Sequence, residues 1–424
     1  MNLNIDFKKT TGEINNQFVG IKINNNKIEF HYPETYELSP KEDAKALRND
    51  VLAILRTISI AKKETSNLST YNSTYKSNNT FPLGSYLWII NDYLTYGRYE
   101  NKEKKYVNGI QGRVDWKKTM RTNPVISNGN IIYTKIISEK RNQKENILTE
   151  IYRCCVKKSM DNIGWLYGLS FDCEGVDYNS LFEKNYKYYL SVLNTELTHT
   201  NDDMKKTRLQ NMKNIFTGLD DESIKTREMV FGVDSYDYVY ERMIDEMFSN
   251  IDDISEFYPN GTIDLILEPK ILDSSNLRPD TIAIDKKNKK AYIIDAKNYR
   301  YGTTFLASDV PQTASIQKQV TYGEYIKKIK KEDDIEEIYS AFIMPYSKNN
   351  NAHKDRFNQN IEFVGISSTK WYSDDKYKNR KIANLLIDMK FLINNWNAKN
   401  QDNLSELISK IESNINGGVI REWY

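Results

Sequence analysis

The sequence predicts an α/β (α+β) protein: a C-terminal half with a mixed sheet flanked by helices, preceded by an α+β N-terminal half. Three observations carry this. Short β-branched runs alternate with helix-period stretches after residue 237. The first half instead mixes hairpin signals with long helical segments. Finally, 424 residues with 39% hydrophobic side chains exceed one typical domain and suffice to bury more than one core.

In chain order, Phe18–Tyr32 reads as two short strands around an Asn-rich turn. Ser39-Pro40 opens a helix, with Ser39 as cap, Pro40 in the first turn and Glu42 three residues after the cap. Ala44, Leu47, Val51, Leu52, Leu55 and Ile58 then recur at helical spacing. A second helix covers Gly84 to about Leu94. Gly112–Trp116 is extended, and Asn128-Gly129 turns a hairpin between Pro124–Ile126 and Ile131–Tyr133. A helix follows from about Asn146. The polar stretch Phe182–Ile215 is helical and reads as an arm or hinge over about 180–215. The boundary falls near 220, giving an N-terminal domain over 1–220 and a C-terminal one over 221–424.

Beyond it, Tyr238–Phe248 is helical. Ile263–Leu267, Thr281–Ile284 and Ala291–Ile294 are β-rich, Ser315–Lys330 is helical, and Ile338–Met344 and Ile361–Ile366 are strands. A long helix is expected over Asn379–Trp396. No internal repeat is present.

Sixty Lys/Arg against 58 Asp/Glu leave a net charge of +2, which excludes a bulk polycation that coats nucleic acid by charge alone. The average hides two opposed stretches. Residues 101–158 hold fourteen basic and five acidic side chains, and residues 219–256 hold twelve acidic and three basic ones. Three cysteines, two of them adjacent, exclude a disulfide scaffold and zinc-type spacing. The N-terminus has no apolar signal core, and no run approaches the ~20 apolar residues of a membrane span. The expectation is a soluble cytoplasmic chain with no membrane partner.

The chemistry concentrates in Arg278–Tyr299, RPDTIAIDKKNKKAYIIDAKNY. Pro279-Asp280 opens one strand, a Lys/Asn turn follows, and an apolar strand ends in Asp295-Ala296-Lys297. Alternate strand residues share a face, so Asp295 and Lys297 project together and a hairpin brings Asp280 alongside Asp295. Two carboxylates so placed seat a hard cation such as Mg2+, which polarises a phosphodiester and acidifies a bound water. A lysine beside them orients the water and neutralises developing charge. This is the PD-(D/E)xK arrangement of metal-dependent nucleases. Glu241, on the Tyr238–Phe248 helix, is the expected helical carboxylate of such a site. Gln319 and Tyr322, three apart on one helix face, would lie beside it. Histidines 31, 199 and 353 are scattered, and neither a GxSxG elbow nor a glycine-rich dinucleotide loop occurs.

Taken with Gly112–Thr119, Asn123–Val125, Asn128–Tyr133 and Asn146–Leu148, this region resembles the LlaJI family of restriction endonucleases and the nuclease domain of McrC-type restriction subunits. The resemblance covers most of residues 80–345. It implies Asp280, Asp295 and Glu241 as metal ligands, Lys297 as the catalytic lysine, and Gln319 with Tyr322 as an accessory motif. It also implies Mg2+ as cofactor, double-stranded DNA as substrate, and an anti-phage restriction role alongside a separate McrB-like AAA+ GTPase, GTP being used only through that partner. The sequence has no Gly-Lys dipeptide, hence no Walker A loop of its own. The N-terminal half would dock on the GTPase and stimulate it, with Arg113, Lys117 and Lys118 as contacts to DNA or partner. Two other readings stay open: a self-sufficient homodimeric restriction enzyme reading DNA through residues 101–158, and a non-catalytic GTPase-activating scaffold.

Overall fold

A computed structural model describes residues 5–11, 17–24, 27–65, 82–97, 99, 103–110, 113–142, 147–168, 176–217, 228–268, 270–330, 335–369 and 380–417. Contacts divide the chain into two compact units. One comprises residues 1–3, 23–26 and 79–231; the other comprises 4–22, 27–78 and 232–424. Where the linear reading drew one boundary near 220, a position outside the described residues, the larger unit gathers most of the first 78 residues into the C-terminal half.

The N-terminal segment of the larger unit carries β1 (Ile5–Lys9), β2 (Val19–Asn24) and β3 (Lys27–Tyr32), with β1 parallel to β3. Helix α1 (Ala44–Thr65) starts four residues later than the Ser39-Pro40 signal suggested. Asp43, not Ser39, caps it by accepting the Ala46 N–H at 3.0 Å. Leu47, Val51, Ile54, Leu55 and Ile58 form its buried face.

The smaller unit begins with α2 (Leu83–Tyr96), then β4 (Glu103–Asn108), β5 (Arg113–Val114), the single-turn α3 (Trp116–Thr119), β6 (Val125–Ser127), β7 (Asn130–Ile132) and β8 (Ile137–Asn142). Asn128 and Gly129, at φ 51° and 79°, make the two-residue turn that the Asn-Gly pair announced. Helices α4 (Ile147–Ile163) and α6 (Asp203–Thr217) pack with α2, and α5 (Tyr178–His199) packs with α4 and α6. The stretch read as an arm or hinge is therefore two packed helices, and Phe182 stacks on Phe216 with ring centroids 4.2 Å apart. Buried Asp92 ties this unit together. It takes two Arg208 hydrogen bonds, each 2.8 Å, and one from the Tyr152 hydroxyl at 2.8 Å.

After β9 (Glu228–Val233), the larger unit resumes with α7 (Asp237–Phe248), β10 (Thr262–Ile263), β11 (Leu272–Asp273), β12 (Thr281–Asp285) and β13 (Lys290–Ala296). A single-turn α8 (Tyr301–Thr304), α9 (Thr313–Ile329), β14 (Glu337–Tyr346), β15 (Ile361–Ser367), β16 (Ile382–Asp388), α10 (Met389–Asn395) and α11 (Gln401–Asn416) complete it. Five strands form a mixed sheet in the order β12-β13-β14-β16-β15. The three central strands run parallel and both outer pairs are antiparallel.

Two expectations fail here, each for a physical reason. Of Ile263–Leu267 only the first residue is strand; Leu265–Glu268 is a turn, closed by the Glu268 N–H to the Leu265 carbonyl, and Ile266 and Leu267 are fully exposed. Among the described residues, these apolar side chains have no sheet to join beyond the two-residue β11. The long helix over 379–396 is instead β16 followed by α10. Every residue of β16 is buried, and a strand apolar on both faces carries no period to distinguish it from a buried helix.

The sheet's two faces follow from alternation. Ala291 and Ile293 of β13 pack with Tyr322 and Ile326 of α9, as does Ile282 of β12. Tyr292 points the other way, stacking on Tyr339 and donating to Glu412 of α11. Helices α1, α7 and α10 pack with one another, and α7 and α11 cover this second face. Among the described residues, no helix is long and apolar enough to cross a membrane.

Candidate active site

Strand alternation carries three sequence-expected residues to one place. Asp295 and then Lys297 continue the Ala291–Ile293 row of β13 towards α9, and Asp280 continues the Ile282 row of β12 on the same face. The β12–β13 register pairs Thr281 with Ile294, so Asp280 stands opposite Asp295 one step beyond. A hydrogen bond locks this step: the Ala296 N–H donates to Asp280 Oδ2 at 2.9 Å. The Lys297 N–H donates to the Ile343 carbonyl at 2.8 Å, which extends the β13–β14 ladder and holds the lysine backbone straight.

The Lys297 ammonium pairs closely with Asp295 Oδ2, lies 3.9 Å from Asp280 Oδ2 and donates to the Ala296 carbonyl at 3.3 Å. Burial opposes the lysine charge, but the Asp295 and Asp280 carboxylates outweigh it and hold its pKa above the ordinary value. Asp280 is driven well above the usual carboxylate range, first by desolvation and then by Asp295. Lys297 and the Ala296 N–H pull the other way.

Glu241 is half-buried on α7, whose Val239, Tyr240, Met243, Ile244, Met247 and Phe248 form the buried face. The Tyr240 hydroxyl donates to the Ile343 carbonyl at 3.2 Å, anchoring α7 at the same strand end. Burial lifts the Glu241 pKa to about 7; Lys297 opposes the rise, and Asp237 and Asp295 add to it. Among the described residues, no three His, Cys, Asp or Glu side chains converge as a ready-made metal nest. The immediate grouping is thus two aspartates and one lysine.

Gln319 and Tyr322 are both buried on α9. The Gln319 amide donates to the Ala341 carbonyl at 3.2 Å, and the Tyr322 hydroxyl donates to the Arg278 carbonyl at 3.0 Å, just ahead of Asp280. Tyr322 is at once a core residue and a neighbour of the acidic pair: burial, then Asp295 and Asp280, raise its pKa. Arg113, Lys117 and Lys118 belong to the smaller unit. Arg113 and Lys117 are exposed, while the Lys118 ammonium lies 2.8 Å from the Tyr106 ring centre. Sequence reasoning missed Asp237 and Asn298, whose side chains are joined at 2.8 Å. Their signals were present, since Asp237 precedes Glu241 by one helical turn and Asn298 adjoins Lys297.

No curated protein matches this sequence. A solved structure with partial likeness is a refined half-complex from a tetradecameric assembly of Thermococcus gammatolerans McrB AAA+ hexamers with bound McrC. The identity is 12%, over 91% of this chain and 82% of that one, at a TM-score of 0.38. The model of the LlaJI restriction endonuclease family matches residues 18–411. Spanning nearly the whole chain, that match makes this protein a member of the LlaJI family, a restriction nuclease acting on DNA.

Proposed function

We propose that this protein is a Mg2+-dependent endonuclease of double-stranded DNA with a PD-(D/E)xK core, working in an anti-phage restriction system beside an AAA+ GTPase. The observation that carries the reading is the Lys297 ammonium lodged between Asp280 and Asp295 at the end of one strand. The donor set fits a hard cation: it is all oxygen, and Mg2+ commonly takes only one or two protein carboxylates and completes its shell with water and phosphate. Asp280 and Asp295 would hold it, with Glu241 as the third acidic group. When bound, such a cation supplies Lewis-acid polarisation of a phosphodiester and acidification of a water.

The residues themselves do the rest. Lys297 stays charged, so it serves as a donor and counter-charge, orienting the attacking water and neutralising charge that builds on the phosphoryl oxygens. The Ala296 N–H keeps the Asp280 carboxylate aimed. Gln319 and Tyr322 hold α9 against β14 and against the segment entering β12. Attack by water forms one P–O bond and breaks another, leaving a phosphomonoester and a hydroxyl end.

The GTPase partner rests on the sequence resemblance and on the missing Walker A loop. Arg113, Lys117 and Lys118 are assigned to DNA or partner contact within the basic stretch 101–158. The decisive experiment substitutes Lys297→Ala and Asp280→Ala and measures plasmid cleavage with Mg2+, with and without a GTPase partner and GTP. Both variants should fold and lose cutting; full cutting by both would refute the assignment. Site-specific cutting by the chain alone would remove the partner from the proposal.

A further inference from the structure

The loop that leaves Lys297 is fastened at several points. The Asn298 amide donates to Asp237 Oδ1 at 2.8 Å, and Asp237 also accepts from the Ser235 hydroxyl at 2.9 Å. The Arg300 guanidinium makes a two-pronged pair with Glu34, Nε to Oε2 at 2.9 Å and Nη2 to Oε1 at 3.0 Å. Gly302 then passes so close to β14 that a Cβ there would lie 2.2 Å from the Pro345 carbonyl oxygen.

Glu34 lies 266 residues from Arg300 in sequence, yet it is not on a loose segment. It sits in the turn Pro33–Tyr36, closed by the Tyr36 N–H to the Pro33 carbonyl at 3.0 Å. Buried Asp50 of α1 fixes the end of this turn and the residues after it, accepting from the Tyr36 hydroxyl at 2.9 Å, the Ser39 N–H at 2.6 Å and the Lys390 ammonium at 3.0 Å. Lys390 also donates to the Glu37 carbonyl and the Ser39 hydroxyl. The turn is thereby pinned to the start of α10, immediately after β16. Between it and the loop lies a cavity of about 150 Å3, lined among others by Thr10, Glu34, Thr35, Asp237, Asn298 and Arg300.

An exposed ion pair ordinarily contributes little to stability. This one is bidentate, joins two segments that are each held independently, and stands three residues beyond the proposed catalytic lysine, where a displacement of an ångström is costly to rate. We propose that Glu34, through Arg300, is a positioning residue for the nuclease site: the N-terminal segment clamps the loop after Lys297 and so keeps the ammonium between the two aspartates. This rests on the active-site reading above. It gives part of the first 80 residues a role in cutting.

The test is a charge exchange in the full chain: Glu34→Gln, Arg300→Glu, and the double variant Glu34→Arg/Arg300→Glu. Hydrogen exchange of the 298–305 amides should quicken by about tenfold or more in the single variants. Single-turnover cleavage, in the reaction that supports cutting by the unsubstituted protein, should slow roughly ten- to a hundredfold at unchanged DNA affinity. The double variant should recover both. Unchanged exchange and cleavage, or a double variant no better than the singles, would overturn the proposal. So would lost DNA affinity with full rate at saturation, which would make Arg300 a phosphate contact. Lys297→Ala separates the two layers. If it cuts at full rate, the active-site reading fails; if it is dead while Glu34→Gln is fully active, only the clamp fails.

Discussion

The backbone N–H of Ala296 donates to Oδ2 of Asp280 at 2.9 Å, so the residue that enters β12 is tied to the last residue of β13. Asp280→Asn retains an acceptor there, and Asp280→Ala leaves a buried N–H without one. The alanine variant should lose about 1–3 kcal/mol of stability by denaturant unfolding, clearly more than the asparagine variant. Both should lose DNA cleavage. Equal stability of the two would mean that the Asp280–Ala296 bond contributes nothing.

Lys297 offsets the mutual repulsion of Asp280 and Asp295. Lys297→Met should abolish cleavage, falling by roughly a hundredfold or more. The Asp280 pKa is already raised, and losing the ammonium raises it further. A raised carboxyl pKa means stability that is present at low pH and lost as pH climbs through it. The melting temperature of Lys297→Met should therefore drop further below that of the unsubstituted protein as pH rises from about 5 to about 8. A constant gap would count against the electrostatic role.

Glu241, lifted to about 7 by burial, follows the same sign. Its contribution is present below its unfolded value near 4.5 and is lost as pH rises through about 7. Without added metal, Glu241→Gln should melt higher than the unsubstituted protein at about pH 8, with the advantage shrinking towards about pH 5. Thermal melts across that range decide the matter, and a pH-independent difference would contradict the buried carboxyl.

Gly302 meets β14 at 2.2 Å from the Pro345 carbonyl oxygen and 2.5 Å from the Tyr346 Cβ for a Cβ built there. Gly302→Ala should cost about 1–3 kcal/mol through overpacking. It should also slow cleavage, because the same loop begins at Lys297. An alanine variant with unchanged stability would place the loop elsewhere.

In the smaller unit, Arg208→Ala strips buried Asp92 of its bidentate partner and should cost about 3–5 kcal/mol. Arg208→Lys should recover only part of this, since an ammonium cannot make the two-pronged contact. Circular dichroism melts of the full chain provide the measurement.

The grouping of Asp280, Asp295 and Lys297 was legible from residue order alone. A short hairpin enforces its own register, and two-residue alternation decides which side chains share a face, so local rules suffice. Helix α7, with Glu241 on it, and helix α9, with Gln319 and Tyr322, were legible for the same reason, as was the Asn128-Gly129 hairpin. Strand β16 needed its tertiary surroundings, because an apolar run buried on both faces looks the same as strand or helix until neighbours β14 and β15 are in place. So did the fate of Ile266 and Leu267, whose β propensity found no sheet among the described residues, and the grouping of the N-terminal segment with the C-terminal half. No local pattern pairs Glu34 with Arg300 or Asp50 with Lys390. Such contacts exist only once the sheet has brought distant backbones together, and their energy depends on burial and geometry that residue spacing does not encode.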